Sequence, residues 1–168
     1  MIYYIPETVL AAVFSFVSER YSQAEEVPRY KEERGFPQFC GVLTQVRSDT
    51  YYPTLLDKAV YLLVGINKGH FFSNGNKRLA LVVTTFFLGM NDLQLRKRDK
   101  IWYQSVLGEL FPEYQSWEDF ADFTPTDFAT YNLSIMVADS STHGVPHDEL
   151  KRRAKAFFEV ATEPYQGS

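Results

Sequence analysis

Gly69-His70-Phe71-Phe72-Ser73-Asn74-Gly75-Asn76-Lys77-Arg78 runs directly into Leu79-Ala80-Leu81-Val82-Val83-Thr84-Thr85-Phe86-Phe87-Leu88. The second half is apolar on nearly every side, and a helix of that kind is buried rather than amphipathic. Its first turn presents backbone N–H groups without intrahelical acceptors, at the end where the helix dipole attracts anions. Lys77 and Arg78 add positive charge at the same place, where cations ordinarily cost about 0.3–1 kcal/mol each. A negative partner should offset them, and a phosphate is the simplest one. Gly75 permits positive φ and close approach of a ligand, and Asn76 suits a helix cap or a loop anchor. His70 is the side-chain type here suited to proton transfer near neutrality. An anion hole with a base a few residues ahead of it points to group transfer from a phosphorylated donor. A capped core helix beside an incidental histidine and two solvated cations explains each residue singly, but it explains the combination poorly.

On the N-terminal side, Leu55, Leu56, Ala59, Val60, Leu62, Leu63 and Ile66 form a wide apolar face, and Gly69 closes a helix over 54–68. His70 therefore leaves one helix about six residues before the next begins, which keeps the histidine and the anion-binding turn on one rim. Further upstream, Pro6-Glu7 opens a helix through about Tyr21, with Val9, Leu10, Val13, Phe14 and Val17 at helical spacing. Residues 22–33 have no core-forming pattern and, with the stretch up to Gly35, read as a surface loop. Phe36 to Pro53 is ambiguous: Val42, Leu43 and Val46 fit a short helix, while the β-branched and aromatic content also allows an extended piece.

Downstream, Gly89 to Asp92 ends the apolar helix, and Arg96 to Lys100 is a basic knot that reads as solvated surface. Ile101 to Phe111 is a short helix stopped by Pro112. Trp117, Phe120, Phe123 and Phe128 lack interleaved cations and read as packing. Thr126-Asp127 is placed to cap a helix through about Ala138, and Pro146 starts a last one through about Ala161. His143 and His147 are four apart, but Gly144 and Pro146 between them argue against a shared helix and a metal site. The tail from Thr162 reads as frayed.

The chain has 168 residues, 45% hydrophobic and 16% aromatic, which is enough for one packed domain and too much for a disordered tail. A net charge of −4 gives no support for binding nucleic acid directly. One cysteine, Cys40, precludes an internal disulfide and fits a reducing, cytoplasmic setting. No leader-like start and no membrane-length apolar run is seen.

His70-x-Phe72-x-x-Gly75-Asn76-Lys77-Arg78 resembles the H-x-F-x-[DE]-[GA]-N-[GK]-R signature of the Fic/Doc (Fido) family. Its Asn-Lys-Arg ending is closer to the Doc (death-on-curing) toxin branch than to the Asn-Gly-Arg of Fic adenylyltransferases. Ile5-Pro6-Glu7 with Arg20-Tyr21, the helix ending at Gly69 and the closing helix pair extend the likeness over residues 1–168, apart from an extra segment near 96–124. The resemblance implies an all-α, Fido-type helical bundle around a buried central helix. It leaves room for a small β-hairpin flap near residues 36–50, where an ordinary connecting loop is the competing reading.

What the resemblance implies for the site is specific. His70 would accept the proton of a Ser, Thr or Tyr hydroxyl on a target protein, and Phe72 would point inward to anchor the loop. Gly75 and Asn76 would donate to phosphate oxygens, with Lys77 and Arg78 neutralising charge during transfer. The donor would be ATP or another NTP, with Mg²⁺. Lysine rather than glycine at position 77 favours phosphoryl transfer, and AMP transfer (AMPylation) is the alternative. Asn74 stands where the family has a metal-binding acid, so an amide oxygen replaces a carboxylate there. An internal inhibitory [S/T]-x-x-x-E-[G/N] match fails, because Arg20 follows Ser15–Glu19. Control would then come from a separate antitoxin, with a translation factor as the class of target. A non-catalytic Fido scaffold that binds a nucleotide or partner is the reading of another class.

Overall fold

Helix α4 (Asn76–Met90) is the axis of the structure, packed by helices α3 (Leu55–Lys68), α6 (Pro125–Asp139) and α1 (Leu10–Tyr21). The structure, a computed structural model, describes residues 1–21 and 28–167; part of the expected 22–35 loop therefore lies outside the described residues. The remaining elements are α2 (Phe36–Gln45), β1 (Leu93–Leu95), α5 (Lys100–Leu110), α7 (His147–Ala161) and β2 (Thr162–Pro164). The fold is all-α with one small antiparallel sheet, in which Leu93 faces Pro164 and Leu95 faces Thr162. No helix among the described residues is long and apolar enough to cross a membrane.

Local chemistry sets the helix starts. Thr54 Oγ1 accepts from Asp57 N–H while Asp57 accepts from Thr54 N–H, each at 3.1 Å, a capping box that begins α3. The same pair recurs at Thr124 and Asp127 ahead of α6. That cap lies two residues before the expected Thr126, because Pro125 takes the first helical position, where its missing N–H costs nothing. Arg20 reaches Asp122 and Asp127, both at 2.9 Å, and ties α1 to α6.

Four sequence expectations change in the fold. Residues 36–45 are helical, with Phe39, Val42 and Leu43 buried, so helical spacing outweighs β-branching and no hairpin forms there. The tail is not frayed at Thr162. Residues 162–164 pair with β1, and Arg96 N–H and Tyr165 N–H donate to Ala161 O at 2.8 Å and Asp92 O at 2.7 Å. Tyr30 lies in a stretch read as surface, yet it is 2% exposed and stacks on Phe14 at 4.8 Å. Finally, α4 is not covered on every side, since Phe86 is 43% exposed beside the exposed Gly89.

Candidate active site

The α3–α4 loop gets its shape from two left-handed residues and one side chain. Helix α3 ends at Gly69 in right-handed conformation, and the left-handed residue is His70, at φ 48°. This reverses the chain and leaves the imidazole exposed on the rim. Gly75, at φ 72°, makes the second reversal and is the residue before α4. Between them, Asn76 reaches back to Phe72, accepting from its N–H at 3.1 Å and donating to its carbonyl at 2.8 Å. Asn76 is thus the first helical residue and a loop anchor, not the cap. Phe72 is 4% exposed and meets Tyr30 (4.8 Å) and Phe39 (5.7 Å) edge to face. Burial of that ring pins the middle of the loop to the core.

A second anchor comes from the segment ahead of α2. Glu33 accepts from Ser73 N–H at 2.8 Å and from Ser73 Oγ–H. Gly35 lies so close to the loop that a Cβ there would fall 1.6 Å from Phe71 O. Only glycine allows this approach, and it brings the Glu33 carboxylate onto the motif. Neither contact was legible in the sequence, since an acid and a glycine in a polar stretch are ordinary surface residues.

The start of α4 carries no side-chain cap among the described residues. Its first-turn N–H groups therefore face the loop as potential anion donors. Tyr30 Oη donates to Gly75 O at 3.4 Å from beneath. The two cations part company at this point. Lys77 is exposed, and its carbonyl accepts from Ser134 Oγ at 2.7 Å. Arg78 is 4% exposed on the core side of the helix, within electrostatic reach of Tyr21 and Tyr30. Burial pushes the Tyr30 hydroxyl up to about 12, with Arg78 pulling it down and Glu33 pushing it up, so the tyrosine lies between opposite charges. The structure brings His70, Phe72, Gly75, Asn76 and Lys77 onto one loop and rim, and it sets Arg78 below them.

A family model described as the Fic/DOC family matches residues 8–88, from two residues before α1 to two residues short of the end of α4. Over this segment, just under half of the chain, the protein is similar to the Fic/DOC family. No curated protein and no solved structure matches the chain. Fic/DOC proteins typically transfer nucleotide-derived groups to proteins, using NTP donors and a divalent metal. The match contains the whole loop, all of α3, α4 up to Leu88 and the Glu33–Gly35 approach; α5, α6 and α7 lie beyond it.

The residues of the matched loop do not form a metal cage. Asn74 Oδ1 accepts from Gly75 N–H at 2.7 Å and is turned into the loop. Among the described residues there is no group of three or more His, Cys, Asp or Glu able to hold an ion. His143 lies against the Tyr114 ring at 4.5 Å, while His147 begins α7. A divalent cation here would depend on the oxygens of a nucleotide's phosphates.

Proposed function

We propose that this chain transfers the γ-phosphoryl group of ATP, or another NTP, to a Ser, Thr or Tyr hydroxyl of a target protein. The observation that carries the reading is one six-residue loop that ends in an uncapped helix N-terminus at one side and an exposed, left-handed histidine at the other. His70 takes the hydroxyl proton as that oxygen attacks the γ-phosphorus and the bond to the β–γ bridging oxygen breaks, releasing the nucleoside diphosphate; general-base help of this kind contributes roughly 10²–10⁴ in rate. The Gly75–Asn76 turn and the first turn of α4 hold phosphate oxygens through backbone N–H groups, and Lys77 meets their charge from the exposed side. Arg78 acts from beneath the helix, through its field rather than by contact. Phe72 and Asn76 hold the loop in place, so little reorganisation is needed at the moment of transfer. A divalent cation, supplied with the donor, would neutralise phosphate charge.

We further infer a Doc-like toxin held in check by a separate antitoxin. What supports this is Lys77 in the motif together with the absence of an internal inhibitory match around Ser15–Glu19. Incubation of a cell lysate with the protein and either γ- or α-labelled ATP tests the chemistry. Label entering protein from the γ position only is expected. Entry from the α position only assigns AMP transfer instead, and nucleotide binding without any transfer assigns a scaffold. Expression alone should arrest growth for the wild type and not for His70→Ala, and equal growth of the two would overturn the toxin reading.

A further inference from the structure

Two consecutive side chains in the last turn of α3, Asn67 and Lys68, direct their donors to α6 and its C-terminal end. Asn67 is 2% exposed, and its Nδ2 donates to Ser134 O at 2.8 Å and to Ser134 Oγ at 2.9 Å. Lys68 Nζ donates to Val137 O (3.4 Å), Ser140 Oγ (2.8 Å) and Ser141 Oγ (3.1 Å). Ser134, 1% exposed, carries the tie onward: its hydroxyl donates to Lys77 O, in the first turn of α4, at 2.7 Å. The direction of this relay is fixed, because a carbonyl oxygen can only accept. Ser134 O requires the amide N–H of Asn67, and Lys77 O requires the hydroxyl proton of Ser134.

Neither end of the relay is explained by the needs of its own helix. Asn67 Oδ1 is buried with no hydrogen-bond partner among the described residues. An apolar side chain of similar size would avoid that penalty, so local stability does not account for an asparagine here. Lys77 O is an ordinary helical carbonyl, with the amide four residues on available to it inside α4. What the relay joins is the two sides of the candidate site. His70 follows Asn67 by three residues, and Lys77 opens the helix start opposite.

We propose that Asn67 and Ser134 are positioning residues that set the separation between His70 and the start of α4, with α6 as the brace. The proposal rests on His70 as the base and on that helix start as the phosphate site. It adds a determinant of transfer, Ser134, from outside the matched segment. A base and a phosphate held by two different helices drift independently unless a third element fixes both. A misplacement of about 1 Å can lower a rate about 100-fold. Burial strengthens the relay, since water does not compete for its donors.

Ser134→Ala tests this with little disturbance: it removes one hydroxyl, leaves Asn67 bonded to the backbone carbonyl and leaves Lys77 O its acceptor role within α4. With γ-labelled ATP and a fixed amount of cell lysate, apparent kcat should fall roughly tenfold while KM for ATP stays within about twofold. Asn67→Ala should behave alike, and the double variant should be no slower than Ser134→Ala, since both act through one relay. A second readout needs no transfer. The Arg78 amide shares a peptide unit with Lys77 O, so its NMR signal should shift in Ser134→Ala. It should also shift in Asn67→Ala, which removes no hydrogen bond to α4. Amide exchange should quicken at Leu79 and at residues 67–69, with the middle of α4 unchanged. A rise in KM at constant kcat, strictly additive losses, or exchange raised evenly through α4 and α6 overturns the proposal. If the wild type transfers no label, the proposed chemistry fails and the amide signals alone decide the brace: a shift at Arg78 in both variants supports it, and none in Asn67→Ala rejects it.

Discussion

His70 occupies a backbone conformation that costs a residue with a side chain about 1–2 kcal/mol, and it does so where the imidazole must leave α3 and face the rim. His70→Gly should therefore raise the free energy of unfolding by about 0.5–1 kcal/mol, after the entropy of glycine in the unfolded chain is set against the relieved strain. The same substitution should abolish transfer. His70→Ala should lose transfer with no gain in stability, and urea unfolding beside a transfer assay separates the two. Gly75 is the complementary case: a Cβ there would carry φ 72° and lie 2.5 Å from Tyr30 Oη. Gly75→Ala is expected to destabilise by roughly 2 kcal/mol. Adding Tyr30→Phe removes the hydroxyl and should recover part of that loss, a coupling that a double-mutant cycle measures. Strictly additive losses would show that the hydroxyl does not press on this turn.

Between elements, the approach of the 33–35 segment to the α3–α4 loop holds the candidate site from the outside. Glu33→Ala removes the acceptor of Ser73 N–H and Oγ–H. It should speed amide exchange at Ser73 and lower stability by about 1–2 kcal/mol, since these are charge-assisted bonds. Unchanged exchange at Ser73 would show that Phe72 and Asn76 suffice to order the loop. The two capping boxes contribute to the acid response of the helices. Burial pushes Asp57 up, but bonds from Lys155 and Thr54 outweigh it and hold the group below its ordinary value. Asp127 is likewise pushed up by burial and held down by Thr124 and Arg20. A depressed folded value means that this stabilisation is complete above the unfolded pKa of about 3.9 and fades as pH falls through the folded value. The urea midpoint should thus drop on acidification below about pH 4, and Asp57→Asn with Asp127→Asn should flatten that drop.

For the molecule as a whole, residues beyond the matched segment close the bundle. Truncation after Ala161 removes β2, the buried Thr162 and the ladder to β1. It should cost about 2–4 kcal/mol in urea unfolding, given roughly 0.5–1.5 kcal/mol per hydrogen bond. Full stability without those residues would return the tail to the frayed state its composition suggests. Much of this architecture was legible in the chain because it is written locally. Apolar spacing marks α1, α3 and α4, and glycine with asparagine marks the turn before α4, whereas the α6 cap falls at Thr124 and not at the Thr126 read from the sequence. What escaped a linear reading depends on distant partners. Glu33 and Tyr30 look like loop residues until Ser73 and Phe14 are placed beside them. Thr162–Pro164 has no strand pattern of its own and becomes a strand because residues 93–95 offer it an edge. Arg78 looks like a second phosphate cation beside Lys77, but one helical position turns it by about 100° into the interior. The order of residues alone determined the helices α1, α3 and α4 and the loop that joins a histidine to an anion-seeking helix end, because those follow from short-range sterics and hydrogen bonding. Only the folded chain decided which charges meet that loop and which strand closes the bundle, because these depend on groups far apart in sequence sharing one small volume.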